Sequence, residues 1–365
     1  MVIKVEKWVR LGERSYPLYV TCGDLDRLGE TMAQFVRVSR WVVVTQRSIP
    51  PSFRRSFEKG LKRKAKVLAP LYIPNGERFK TVQTASRLYG QLAKARVERG
   101  DGLVALGGGV VGDLTGFVAS TYLRGVPYVQ IPTTLLAQVD SSIGGKTGVD
   151  LPVGKNLVGT FAQPRAVGID VAALLSLPER EFRSGLAEVV KYGVIGELGF
   201  LGWLEAHRRE IVRRDLSKLR HMVEVCAGFK SRVVGLDERE TKGIRSILNF
   251  GHTLGHAMEV AGGYQRYRHG EAISMGMIFA LRLGEALGIT SRATLPRVSL
   301  LLKGFGLPID PPRVSWSAIE RALRLDKKIR DGKLRMLLAK RVGEVKVIPI
   351  SFSSVRKEWN FWTGE

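Results

Sequence analysis

Gly102-Leu103-Val104-Ala105-Leu106-Gly107-Gly108-Gly109-Val110-Val111-Gly112-Asp113 decides the fold. Five residues of mostly apolar character run straight into a triple glycine, and an apolar helix-compatible stretch follows. That order reads as a buried strand, a tight turn and the start of a helix. The glycines have a physical purpose. Backbone N–H groups approach a pyrophosphate closely only where no Cβ intervenes, and the positive end of the following helix favours the anion. Gly107, Gly109 and Gly112 fit the G-x-G-x-x-G template after a strand.

The segments upstream agree with a parallel α/β sheet. Trp41-Val42-Val43-Val44-Thr45 is a short apolar run of the kind buried on both faces. Residues 66–73 read as another strand, closed by Pro74-Asn75-Gly76, and residues 81–99 carry helical spacing. Residues 2–20 alternate apolar and polar and contain Pro17, the pattern of edge strands or a hairpin. Strand, helix and strand with short links give a Rossmann-like sheet. The acidic residue expected about twenty positions after the glycines is missing, since no carboxylate lies between Asp113 and Asp140.

A dense polar run follows: Thr121-Tyr122-Leu123-Arg124-Gly125, Pro132-Thr133-Thr134, Asp140-Ser141-Ser142-Ile143-Gly144-Gly145-Lys146-Thr147, and Lys155-Asn156. Gly145-Lys146-Thr147 looks like the tail of a P-loop. The full spacing requires glycine at position 140, which is aspartate, so a P-loop NTPase is excluded.

From Pro178 the pattern turns helical. Residues 179–192 place Glu188 and Lys191 one turn apart, so both can face one site. Residues 200–227 read as one long amphipathic helix and 271–287 as a buried one; 334–338 and 345–350 read as a hairpin. Residues 244–260 read as a helix with His252 and His256 at i, i+4. Such a pair is often purely structural, but His269 follows after a glycine-rich link. From spacing alone, His252, His256 and His269 form a three-ligand set, the number a catalytic divalent metal uses while keeping an open position. The remaining histidines, His207 and His221, lie on charged faces.

Composition bounds the function. At 365 residues two domains are expected, here 1–177 as a nucleotide-binding α/β domain and 178–365 as a mainly helical metal- and substrate-binding domain. No apolar run is long enough to span a membrane, and residues 1–10 lack a signal peptide's apolar core. Cys22 and Cys226 are the only cysteines, which suits a reducing cytoplasm. The net charge of +24 raises nucleic-acid binding, but the cations are spread along the chain, with a modest cluster at 54–66, and no nucleic-acid motif accompanies them. A solvated basic surface is the plain reading, and attraction of an anionic substrate can coexist with it.

Taken together, the blocks 107–113, 121–124, 132–134, 140–146, 155–156, 188–193, 245–256 and 269–271 resemble the 3-dehydroquinate synthase family of the sugar-phosphate cyclases, nearly end to end. The resemblance implies tightly bound NAD and Zn2+ or Co2+. It implies a homodimer and conversion of 3-deoxy-D-arabino-heptulosonate 7-phosphate to 3-dehydroquinate and phosphate. That route passes through transient oxidation, phosphate elimination, re-reduction and an internal aldol closure. It replaces the spacing-based ligand set with Glu188, His252 and His269 and makes His256 a substrate-side group. It implies catalytic or substrate roles for Arg124, Asp140, Lys146, Lys155, Asn156, Lys191, Lys230, Arg245, Asn249 and His256, with one of Lys327 or Lys328 reaching the phosphate. Around the nucleotide it implies Glu77, Lys80, Gly108, Gly109, Val110, Asp113, Thr133, Thr134, Asp140, Ser141, Lys146 and Lys155. One departure stands out: the family often has an acid after the strand ending at Thr45, where this chain has Gln46 and Arg47. NAD is expected, but an arginine there tolerates a 2′-phosphate. The rival readings are another sugar-phosphate cyclase and a metal-dependent polyol or glycerol-phosphate dehydrogenase.

Overall fold

The computed structural model describes residues 3–196, 199–324, 329–330 and 333–365. The chain forms two compact units: Met1–Leu177 with Leu216–Thr241, and Pro178–Asp215 with Lys242–Glu365. The segment 216–241 therefore belongs to the first unit, where the sequence division had placed it in the second.

The first unit is built on an eight-stranded sheet. Its order is Lys7–Val9, Tyr16–Thr21, Val167–Asp170, Tyr128–Pro132, Gly102–Gly107, Arg40–Gln46 and Lys66–Val67, with Leu71–Ile73 also pairing Arg40–Gln46. All pairings are parallel except the N-terminal hairpin of the first two strands. The expected single strand at 66–73 is two short ones, interrupted at Leu68-Ala69-Pro70, where the proline cannot donate to a ladder.

Alternation explains why both faces are covered. Val42, Val44, Leu103 and Ala105 point into one apolar cluster with the helices Val82–Lys94 and Gly109–Thr121. Trp41, Val43, Val104 and Leu106 point into the other, with Leu25–Phe35 and Pro51–Lys62. Successive strand side chains face opposite sides, so a continuous apolar run is what a doubly covered sheet needs. Outside this sheet, Lys146–Leu151 and Gly154–Phe161 form a separate antiparallel hairpin. The helix Leu216–Leu236 completes the unit.

The second unit is mainly helical. Glu179–Ile195 and His269–Ala286 are buried along most of their lengths. The expected long helix at 200–227 is three helices, Phe200–Ala206, Arg208–Val212 and Leu216–Leu236. The helix expected over 244–260 is a 3-10 turn, Arg245–Asn249, and then an α-helix, His252–Ala261. Gly251 separates them at φ +78°, which ends the first turn and restarts the chain in a new direction. Lys333–Arg341 and Glu344–Ile350 form the expected hairpin. No helix among the described residues is long and apolar enough to cross a membrane.

Candidate metal and nucleotide sites

In the second unit, three elements bring Glu188, His252 and His269 together. Glu188 lies mid-way along Glu179–Ile195 and is fully buried. His252 opens the helix His252–Ala261, and His269 opens His269–Ala286. The Nε2 atoms of both histidines lie 3.4 Å from Glu188 Oε1. One ligand atom from each residue can be chosen so that all lie within 4.8 Å of one another.

The far nitrogens of the two rings are also engaged. His252 Nδ1 faces the Phe250 carbonyl oxygen at 3.1 Å, and His269 Nδ1 faces Glu259 Oε2 at 3.4 Å. Such partners turn Nε2 inward, as in metal sites generally. Burial pushes His252 well below the ordinary histidine value, which leaves its lone pair available. Burial opposes charge on His269 too, but Glu188 and Glu259 outweigh it and hold its proton up to about 10. With the His269 proton displaced, two imidazole nitrogens and one carboxylate form a donor set that suits a zinc-like ion.

Lys191, one turn on from Glu188 and also buried, forms an ion pair with it. His256 is exposed, with its ring 5.2 Å from that of His252. His256, Glu259 and His269 form a second group of potential ligands, so the spacing-based triad is not the set that meets Glu188. Asn249 ends the 3-10 turn, and Arg245, which begins it, is buried.

In the first unit the triple glycine occupies the expected place. Gly107 ends its strand, Gly108 is the N-cap, and Gly109–Thr121 is the helix, with no side chain capping its N-terminus. A Cβ on Gly108 would stand 3.0 Å from Thr134, and one on Gly109 would stand 3.1 Å from Ser141. Thr134 and Ser141 thus lie against the glycines, and Thr133 N–H donates to the Gly107 carbonyl at 2.9 Å. Uncapped N–H groups at a helix start provide for an anion.

The polar run condenses into one network. Buried Lys80 lies 2.5 Å from Asp113 Oδ2 and 3.9 Å from Glu77, and donates to Asn156 Oδ1 at 2.6 Å. Burial works against its charge, yet Asp113 and Glu77 outweigh this and hold Lys80 above its ordinary value. Lys155 lies 3.7 Å from Glu77. Asn156 sits at φ +55°, its N–H donating to Asp150 Oδ1 at 2.8 Å.

Lys230, from the returning helix Leu216–Leu236, donates to both the carbonyl and Oδ1 of Asp140, each at 2.6 Å. Lys146 pairs with Glu240 at 2.7 Å. Glu240, Asp150 and Glu259 escaped the sequence reading. Glu240 is far from Lys146 in sequence, and no motif links Asp150 to Asn156 or Glu259 to His269.

Arg124 is exposed in an unusual turn where Leu123, Arg124 and Gly125 are all at positive φ, +51°, +67° and +124°. Lys327 and Lys328 lie outside the described residues.

The 3-dehydroquinate synthase N-terminal profile matches residues 70–184, and the C-terminal profile of the same family matches 185–329. The chain belongs to the 3-dehydroquinate synthase family. A 3-dehydroquinate synthase of Halorhodospira halophila is 46% identical over 342 residues, covering 93% of this chain and 94% of that protein. Another, from Thermodesulfovibrio yellowstonii, is 44% identical and covers 96% and 98%. Among solved structures, a 2-deoxy-scyllo-inosose synthase complexed with carbaglucose-6-phosphate, NAD+ and Co2+ superposes with a TM-score of 0.87. It is 27% identical and covers 96% of this chain and 98% of that one.

Proposed function

We propose that this chain converts 3-deoxy-D-arabino-heptulosonate 7-phosphate to 3-dehydroquinate and phosphate. The observation that carries the reading is the 46% identity to a 3-dehydroquinate synthase across nearly the full length of both chains. Cyclases acting on other sugars resemble it at only 26–27%, and a probable glycerol dehydrogenase at 16%.

Both cofactors of the solved cyclases fit residues present here. Glu188, His252 and His269 would hold the metal; when bound, it polarises substrate hydroxyls and steadies a developing oxyanion. Gly108, Gly109, Val110, Asp113, Thr133, Thr134 and Ser141 would hold NAD, with Glu77 and Lys80 upstream; when bound, it accepts a hydride and returns it.

The chain's own groups have separate tasks. Lys191 balances the Glu188 carboxylate and leaves the cluster less negative, so that an anionic substrate is tolerated. His256 is exposed beside the ligand pair and moves a proton at its imidazole. Asn249 orients a substrate hydroxyl. Lys146, Lys155 and Arg245 bind the substrate's anionic ends, and Arg124 serves the phosphate, the purpose for which fixed cations are strongest. Lys230 fixes Asp140 at both its carbonyl and its carboxylate, and Asn156 is held to Lys80.

We place the protein in the cytoplasm as a homodimer without nucleic acid. The test supplies the heptulosonate phosphate with catalytic NAD and follows both phosphate and NADH. Many phosphates per NAD, with no net NADH, support the cyclase. Stoichiometric NADH without phosphate would identify a dehydrogenase instead.

A further inference from the structure

The helix His252–Ala261 carries more donors than the Glu188 group uses. His252, His256 and Glu259 stand at i, i+4 and i+7, so all three share one face. His252 meets Glu188. His256 and Glu259 gather instead around His269, and one ligand atom from each of these three can be chosen so that all lie within 4.8 Å of one another. The imidazoles are close neighbours. Ring centroids are 5.2 Å apart for His252 and His256, 5.4 Å for His252 and His269, and 6.1 Å for His256 and His269.

His269 serves both groups. Its Nε2 lies 3.4 Å from Glu188 Oε1, and its Nδ1 lies 3.4 Å from Glu259 Oε2. That is long for a charge-assisted hydrogen bond, which runs about 2.7–2.9 Å. It matches the edge of a zinc tetrahedron, where two bonds of about 2.0–2.1 Å separate their ligand atoms by about 3.3–3.4 Å. Each nitrogen of this one ring therefore faces a carboxylate oxygen at the spacing that a shared ion imposes. Glu259 is buried, with 6% of its surface exposed, whereas His256 is exposed. The second group thus has a fixed inner wall and an open side, where an ion enters and water completes its shell. Two imidazole nitrogens and one carboxylate suit zinc and disfavour magnesium and calcium, which take oxygen ligands.

We propose that His256, Glu259 and His269 Nδ1 form a second zinc site, filled only beyond the first equivalent, and that filling it inhibits the enzyme. With zinc on Nε2, Nδ1 carries the ring's proton, which a second ion must displace, so the second ion is the weaker one. Its binding stands on the geometry alone. The inhibition rests on the role of His256 in the proposed function, since an imidazole bound to an ion moves no proton.

The experiment starts from the full chain loaded with one zinc ion. Further zinc is titrated in, bound metal is counted after equilibrium dialysis, and phosphate release from the heptulosonate phosphate is followed in parallel. Wild type is expected to take up a second ion, with activity falling as that ion binds. His256→Ala and Glu259→Gln, each loaded with one zinc, are expected to bind the second ion about tenfold or more weakly. His256 is exposed, so its replacement tests the site without disturbing the core. Magnesium at the same concentration is expected neither to bind there nor to inhibit. A wild-type chain that stops at one zinc overturns the inference, and Glu259 then only orients His269. A second zinc that both variants hold as tightly as wild type overturns it too. A second ion that binds without loss of activity overturns the inhibition. Absence of phosphate release at every zinc concentration, with the second ion still bound, overturns the proposed function and leaves the site standing.

Discussion

Gly270 packs so closely on Ser184 that a Cβ at position 270 would lie 1.8 Å from the serine carbonyl oxygen. The Gly270 N–H also donates to Ser184 Oγ at 3.0 Å. This contact fixes the first turn of His269–Ala286 against Glu179–Ile195, one turn before Glu188, and so sets the approach of His269 to Glu188. Gly270→Ala must push the two helices apart, since the clash is with backbone. Overpacking of this kind costs about 1–3 kcal/mol. The expected outcome is a lowered melting temperature together with zinc affinity reduced about tenfold or more. Thermal melts and metal titration of the same variant check both.

The ligand assignment separates the histidines. His252→Ala and His269→Ala are expected to lose metal and activity together, and Glu188→Gln to weaken metal binding strongly. His256→Ala is expected to keep most of the metal while activity falls by about two orders of magnitude or more, the size of a general acid–base contribution. Metal content per chain, measured beside phosphate release, decides it. A His256→Ala protein without metal would transfer the ligand role to the group His256, Glu259 and His269.

Much of this was legible locally. The strand 102–106, the glycines and the helix behind them are one continuous pattern, and the structure keeps it as Gly102–Gly107 and Gly109–Thr121. Glu188 was not legible from spacing. The i, i+4 histidines advertise each other, whereas a glutamate more than sixty residues upstream meets them only through helix packing. The return of Leu216–Leu236 to the first unit was equally hidden. An amphipathic face says that a helix must be covered, not by which unit, and Lys230 meets Asp140 across ninety positions. The break at Gly251 was missed because helical periodicity runs through it while only its φ reverses.

Asp101 offers a pH test within the first unit. It is buried, accepts from Arg40 Nε at 3.0 Å and Nη2 at 2.6 Å, and accepts from the Glu98 N–H at 2.8 Å. Burial alone would raise its pKa, but Arg40 and the Glu98 N–H prevail and hold it below the ordinary aspartate value of 3.8. A depressed acid contributes stability that is present above its unfolded pKa and lost as pH falls through the folded one. Chemical denaturation is therefore expected to show a loss of stability as pH falls below about 4. In Asp101→Asn that component of the acid-side slope should disappear, with the melting temperature at neutral pH lowered by several degrees. An unchanged slope would place the titrating group elsewhere.

Arg124 gives the most demanding test of the assembly. Two consecutive non-glycine residues at positive φ, Leu123 and Arg124, are an expensive way to end a helix, and such strain is usually retained for a task. A plain helix cap would not require it. We propose that Arg124 reaches across a dimer interface to the substrate phosphate of the neighbouring subunit, where its planar fork suits two phosphate oxygens. Arg124→Ala alone is expected to raise KM for the sugar phosphate and to depress turnover. Lys146→Ala alone should be similarly impaired. Mixed heterodimers of the two are expected to recover about half of the wild-type activity per dimer. One site then receives both defects and the other receives neither, if Arg124 acts in trans and Lys146 in cis. Heterodimers purified through two different tags, assayed for phosphate release, make the measurement. No recovery in verified heterodimers would return Arg124 to its own subunit.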